Sequence, residues 1–229
     1  MYLRTKYLNI ENKFLIPMST VRLALFITIT IVLLSVIGNA APYTFQLQKA
    51  VAQSTVNNTG APSNAINATA ANNFLAYTNP DHGIKIDYPA NWKLDEHPYT
   101  DKFIALLTST LKNSSDVSPA TFTVSVETLK KNISLDNYTN ANLAKAKQSL
   151  PRFQLIDSNA TILAGIPANK IVYTFASPDP DVQIPFKSMN IWTINQGKAY
   201  NISYTQARSQ YNKYLDVIEH MINSFNIIK

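Results

Sequence analysis

The stretch Met189–Thr205, MNIWTINQGKAYNISYT, decides the fold class of this chain. Two runs rich in aromatic and β-branched residues flank Asn195-Gln196-Gly197. A short glycine-containing loop between two such runs is a strong signal for a β-hairpin. We therefore predict antiparallel strands over Phe186–Ile194 and Lys198–Thr205.

Alternation of apolar and polar residues predicts further strands upstream of this hairpin. They cover Gly83–Pro89, Phe103–Leu107, Thr121–Leu129, Phe153–Ile156 with Thr161–Leu163 (broken at Asp157-Ser158-Asn159), and Asn169–Ala176. One helix is predicted from an N-cap at Ser134 to about Leu150, and an amphipathic helix over Ser209–Phe225. Hairpin-linked strands with two helices indicate an α+β domain, an α/β/α sandwich around a central antiparallel sheet.

The first 41 residues predict export from the cytoplasm. Leu23–Ala41 contains 19 uncharged residues and follows a basic segment that ends at Arg22. This length fits either a cleaved signal peptide or an N-terminal membrane anchor, and translation from Met18 instead of Met1 would give a compact signal peptide. In each case we expect the rest of the chain at the cell surface, in a periplasm-like space or secreted.

Residues 42–73 are rich in Ala, Asn, Ser and Thr and carry one charge, so we expect a disordered tether. Domain-like patterning starts at Phe74 and continues to residue 229. Asn-x-Ser/Thr sequences, the acceptors for N-linked glycans, occur at Asn57, Asn67, Asn113, Asn132, Asn137, Asn159 and Asn201. Their presence is consistent with export.

Composition excludes several classes of function. The 229-residue chain has no cysteine, which rules out disulfides and thiolate metal sites, and its five glycines are too scattered for a phosphate-binding loop. Half of the net charge of +6 lies in residues 1–22, and the basic residues after it form no stripe. We therefore expect no nucleic-acid partner.

Candidate chemical groups are sparse. The histidines are His82, His97 and His220, and there is no Gly-x-Ser-x-Gly turn that would expose a serine nucleophile. His82 with Asp81 and Asp87 has too few ligands for zinc, and the loop Asp179-Pro180-Asp181 with Gln183 lacks the pattern of a calcium loop. We expect no catalytic residue, no metal ligand and no cofactor.

The aromatic residues allow two interpretations. Tyr173, Tyr200 and Tyr204 have the spacing of core residues on strands, and Tyr211 and Tyr214 that of a helix stripe. The other faces of the late strands carry Lys187, Asn190, Trp192 and Asn201, which would form a binding surface if Trp192 were exposed.

Four phrases occur in an order that resembles the PsbP-like family: GIKIDYPANW (Gly83–Trp92), AGIPANKIVYTF (Ala164–Phe175), Met189–Thr205, and MINSF (Met221–Phe225). The resemblance implies an exported, non-catalytic α/β/α sandwich related to extrinsic subunits of photosystem II. It carries over no functional residue.

The function that we expect is an accessory module, not an enzyme, that binds a protein partner and supports a membrane-associated complex. Two alternatives stay open at this point. One is a weak calcium- or manganese-binding accessory protein, and the other is an enzyme whose site the sequence does not reveal.

Overall fold

The computed structural model describes residues 73–96, 102–111, 113–177 and 182–228. The strands in this part of the chain are β1 (Phe74–Asn79), β2 (Ile84–Pro89), β3 (Lys93–Glu96), β4 (Phe103–Thr108), β5 (Thr121–Thr128), β6 (Gln154–Leu163), β7 (Ile166–Ala176), β8 (Pro185–Asn195), β9 (Lys198–Ala207) and β10 (Asn226–Ile227). The α-helices are α1 (Leu135–Ser149) and α2 (Leu215–Ser224), and a 3-10 helix (Arg208–Tyr214) precedes α2.

All described strand pairs are antiparallel and form two sheets. The larger sheet has seven strands in the order β3-β4-β5-β9-β8-β7-β6, and the smaller one has three in the order β1-β2-β10. The predicted hairpin lies at the centre of the large sheet as β8 and β9, with Asn195 opposite Lys198. Gln196 and Gly197 both have positive φ, at 49° and 72°, which is the backbone that a two-residue type I′ turn requires.

The central strands of the large sheet are buried on both faces, and each face has its own hydrophobic core. On one face, Phe122, Ile202 and Tyr204 pack with the small sheet and with α2, whose Ile218 and Met221 are buried. The opposite face carries a second core, smaller than the first, beneath α1. The predicted α+β architecture with a central antiparallel sheet is confirmed in this part of the chain.

The elements differ from the predicted ones in detail. Three strands, β1, β3 and β10, are not among the predicted elements. The terminal helix begins as a 3-10 helix and is not one α-helix from Ser209. The strand expected to break at Asp157–Asn159 is continuous, because a bulge between Leu155 and Asp157 absorbs the extra residue without interrupting the pairing with β7.

Helices in the described residues are all too short or too polar to cross a membrane. The anchor or signal peptide predicted in residues 1–41 lies outside the described residues, as does the tether up to residue 72.

Candidate functional site

The face of the large sheet beneath α1 has an unusually polar half. Along β5 and β9, paired residues on this face are Thr121 with Thr205, Thr123 with Ser203, and Ser125 with Asn201. The alternate residues of the same strands are apolar and belong to the first core. All of these hydroxyl and amide side chains are buried. The alternation along β5 and β9 therefore separates an apolar core on one face from a buried polar layer on the other.

Helix α1 lies across this face and is held by polar contacts. The Ser134 hydroxyl caps its first turn by accepting from Asn137 N at 3.2 Å. Farther along, the Thr139 hydroxyl accepts from the indole Nε1 of Trp192 and from Nδ2 of Asn169, each at 2.8 Å. A threonine thus connects the helix to two strands at once.

Trp192 is fully buried, with 0% of its surface exposed, and its ring meets that of Tyr138 edge-on at 6.3 Å. The predicted binding surface of Lys187, Asn190, Trp192 and Asn201 is therefore wrong. Asn190 and Asn201 are buried on the same face as Trp192, whereas Lys187 points to the other face and lies over the Tyr211 ring. The core interpretation of Tyr173, Tyr200 and Tyr204 is confirmed.

Several polar atoms between α1 and the sheet are buried without a hydrogen-bond partner. They are Asn142 Oδ1, Lys145 Nζ, Asn190 Nδ2 and Asn201 Oδ1. Together with Glu127 and Tyr138 these residues form what we call the polar seam. A buried polar group without a partner costs about 1–3 kcal/mol, so the seam holds α1 to the sheet less firmly than an apolar interface would.

Glu127 organises the charges of the seam. Its Oε1 accepts from Lys102 Nζ at 2.8 Å and its Oε2 from the Tyr138 hydroxyl at 3.4 Å. Burial, reinforced by the Glu127 carboxylate, raises the pKa of Tyr138 above its usual value. Burial also lowers the pKa of Lys145, an effect that Glu127 opposes and Lys102 reinforces. Tyr138 consequently stays a neutral donor, and Lys145 carries a charge that the fold accommodates poorly.

The described histidines lie away from this seam. His220 is exposed on α2 and packs on the Phe74 ring, with centroids 4.0 Å apart. His82 lies in the turn before β2, where its backbone amide donates to Asn79 Oδ1. His97 and the loop Asp179-Pro180-Asp181 lie outside the described residues. Within the described ranges, no group of three or more His, Asp or Glu side chains is placed to hold a metal ion.

The predicted glycan acceptors differ in accessibility. Asn113, Asn132, Asn137 and Asn159 are exposed, whereas Asn57 and Asn67 lie outside the described residues. Asn201 is buried in β9 between β5 and β8. A glycan there would require the centre of the sheet to open, so the hypothesis of glycan attachment is restricted to the exposed sites.

A second feature that the sequence analysis missed is the outer strand of the large sheet. β6 is ten residues long and pairs on one side with β7, and none of the described strands flanks its other side. Its Leu155, Ile156 and Ile162 are exposed, Ile162 at 68%. Long edge strands with exposed apolar side chains are available for pairing with another chain. The break predicted at Asp157-Ser158-Asn159 would make this edge shorter than the ten-residue strand that the structure has.

The architecture defines a small α+β domain built on an antiparallel sheet with a hydrophobic core on each face. A family model described as PsbP-like protein matches residues 25–227, and the chain belongs to the PsbP-like family. The resemblance found in the sequence is thus confirmed. A comparison with curated proteins finds no match.

The chain is also similar to solved structures at low sequence identity. Cyanobacterial PsbP (CyanoP) from Synechocystis sp. is 14% identical with a TM-score of 0.51, over 72% of this chain and 98% of that chain. LpqN, involved in cell envelope biogenesis of Mycobacterium tuberculosis, is 16% identical with a TM-score of 0.52, over 68% and 91%. The Saccharomyces cerevisiae Ran-binding protein Mog1p is 11% identical with a TM-score of 0.48, over 69% and 96%.

Proposed function

We propose that this protein is a non-catalytic accessory module that acts outside the cytoplasm and binds a protein partner through the edge strand β6. Membership of the PsbP-like family supports an accessory module. The observation that carries the proposal is the exposed apolar edge described above, in a domain whose other large apolar side chains are mostly buried.

The edge of β6 suits an extended segment of a partner. Alternate residues of this ten-residue strand direct their backbone N–H and C=O groups away from β7, and these groups provide donors and acceptors for an added strand. Ile162 and Leu155 point to one face of the sheet, since they pair with Pro167 and Tyr173 of β7. They offer contacts for alternate side chains of the added strand, which is where specificity arises in this mode of binding.

Site-specific photocrosslinking tests this edge. The full chain carrying p-benzoylphenylalanine in place of Ile162 is irradiated in its own membranes and the adducts are identified by mass spectrometry. We expect one dominant partner. The matched control carries the same photoreactive residue in place of Val117, which is 45% exposed in the loop before β5, and we expect no adduct there.

A second variant distinguishes specific docking from nonspecific crosslinking. Ile156→Lys leaves the photoreactive position intact but places a charge on the edge, and it should abolish the Ile162 adduct. Equal adducts from positions 162 and 117, or an adduct that survives Ile156→Lys, would reject β6 as the docking strand.

The placement outside the cytoplasm rests on the apolar run Leu23–Ala41 and the basic residues before it. Mass spectrometry of the protein's N-terminus distinguishes the two forms: a cleaved leader gives a start near residue 42, and an anchor leaves residues 23–41 in place. Protease added after removal of any outer envelope layer, with the cytoplasmic membrane intact, should digest the domain in either case. Protection of the domain from protease until the cytoplasmic membrane is lysed would overturn the placement.

A further inference from the structure

We propose that one end of the large sheet docks this domain on an anionic lipid surface. This basic end consists of Lys102, Lys130, Lys131 and Lys198. The proposal rests on the proposed extracytoplasmic placement beside a membrane, but it concerns a surface other than the β6 edge. The two surfaces can therefore be tested apart.

Three neighbouring strands bring these lysines together. Lys198 begins β9 and lies opposite Thr128, the last residue of β5. Leu129 N donates to Gly197 O at 2.8 Å, which holds the segment that carries Lys130 and Lys131 beside the β8–β9 turn. On the other side of β5, Val126 N donates to Lys102 O at 2.9 Å. The lysines consequently share one end of the sheet although the sequence separates them by almost a hundred residues.

Few acids oppose this charge. Glu127 is buried and is paired with Lys102, and Asp136 lies in the first turn of α1. Lys145, whose Nζ is buried in the adjacent polar seam, adds a further positive charge from α1. Apart from these five lysines, Glu127 and Asp136, the described residues contain equal numbers of basic and acidic side chains. The excess positive charge of the described domain therefore belongs to this end.

The residue types favour a lipid surface over a carboxylate-bearing protein. The described arginines, Arg152 and Arg208, lie elsewhere, and Arg208 follows the opposite end of β9. Lysines act as point charges, whereas arginine supplies the planar fork that fits carboxylates. Lys130 and Lys131 are exposed between Leu129 and Ile133, whose side chains pack against the second core and fix this segment to the domain.

Chain length permits this contact. The 32 residues from 42 to 73 span at most about 110 Å when fully extended. With residues 23–41 retained as an anchor, the domain samples the membrane surface at high effective concentration, and each lysine near an anionic surface strengthens binding about fivefold at physiological salt.

The test measures lysine reactivity in the full chain. The protein is inserted into nanodiscs of phosphatidylcholine, with or without 30% phosphatidylglycerol, and its amines are acetylated briefly and quantified by mass spectrometry. We expect Lys130, Lys131 and Lys198 to react at least threefold more slowly with the anionic lipid, and the difference to vanish in 0.5 M NaCl. Lys85 and Lys93, exposed on β2 and β3, are the internal controls and should not change.

Variants give a second measurement. Lys130→Ala/Lys131→Ala/Lys198→Ala should abolish the protection of Lys102 by anionic lipid, whereas Lys85→Ala/Lys93→Ala/Lys147→Ala should preserve it. Equal reactivity in both lipids overturns the proposal, as does protection in phosphatidylcholine alone. Protection that needs added membrane protein instead of phosphatidylglycerol would assign the basic end to an acidic protein. None of these outcomes bears on the crosslink at Ile162, which tests the proposed function separately.

Discussion

Asn140 and Asn142 are two residues apart on α1 and face in opposite directions, which makes them a matched pair. Asn140 is exposed, whereas Asn142 is buried with its Oδ1 unpartnered. We expect Asn142→Leu to raise the free energy of unfolding by about 1 kcal/mol, because it removes a desolvated amide and keeps the branched shape of the side chain. Its Nδ2 contact with Tyr138 O is a smaller loss, since that carbonyl also lies within the helix.

The measurement is urea unfolding of both single variants. Asn140→Leu reports helix propensity alone and should gain no more than about 0.5 kcal/mol. A loss of more than 1 kcal/mol in Asn142→Leu would show that the hydrogen bond from Nδ2 to Tyr138 O stabilises the fold by more than the buried Oδ1 costs.

Buried tyrosines make stability sensitive to alkaline pH. Burial is the main cause that raises the pKa of Tyr138, Tyr173, Tyr204 and Tyr211 above the usual 10.0. Between pH 10 and these raised values the unfolded chain releases protons that the folded state keeps. The stabilisation is therefore complete below pH 10 and is lost as pH rises, by up to about 1.4 kcal/mol per pH unit for each tyrosine.

Urea midpoints at pH 9, 10 and 11 check this expectation. Stability should fall steeply above pH 10, and Tyr173→Phe should reduce the slope, because phenylalanine has no proton to lose. A flat profile to pH 11, or an unchanged slope in Tyr173→Phe, would contradict it.

At the scale of elements, Gly83 connects the small sheet to the end of the chain. Its φ is +66°, and a Cβ at this position would lie 2.7 Å from Ile228 O. Gly83 O also accepts from Ile228 N at 2.8 Å. Gly83→Ala should therefore cost both backbone strain and the docking of β10, in total about 2–4 kcal/mol.

Gly165→Ala is the matched control for this element. Gly165 has a similar φ of +76° with nothing within 4 Å of a Cβ, so it should cost only the strain of about 1–2 kcal/mol. The two variants are compared by thermal and urea unfolding, with hydrogen exchange at Ile228 as the local readout. Equal losses in both, with unchanged exchange at Ile228, would show that β10 contributes nothing.

The sequence predicts elements well where periodicity is undisturbed. The β8–β9 hairpin is recognisable because Gly197 permits the turn and both strands are rich in β-branched and aromatic residues. β3 and β10 have four and two residues, too few for a period to show. The polar run Asp157-Ser158-Asn159 predicts a break in β6, whereas the strand pairs with β7 through this run and a bulge between Leu155 and Asp157 absorbs the extra residue.

For the whole molecule, the sequence does not show which face of the large sheet is covered by another layer. The pattern of Thr121, Thr123 and Ser125 is the one that a solvent-exposed strand face shows, and only the layer above it makes these residues core. The polar neighbours of Trp192 make a surface position conceivable for the same reason, although its side chain is buried. Similarly, the basic end and the edge of β6 depend on strand order, which local periodicity does not encode.

The two covers of the large sheet differ in strength, and this predicts how the molecule opens. The cover that includes α2 is apolar, with Ile218 and Met221 buried. The cover formed by α1 rests partly on Thr139 and on Asn142, whose Oδ1 has no hydrogen-bond partner. Cooperative units with fewer apolar contacts open at lower free energy than the whole fold.

We expect α1 to open first. Native-state hydrogen exchange should show amides of α1 at least tenfold less protected than those of β9, and amides of α2 about as protected as those of β9. Asn142→Leu should bring the protection of the α1 amides closer to that of the β9 amides, because it strengthens the attachment of α1 at the polar seam. If α1 and β9 exchanged through one common opening, the sheet and both covers would form a single cooperative unit, and the polar seam would not weaken the attachment of α1.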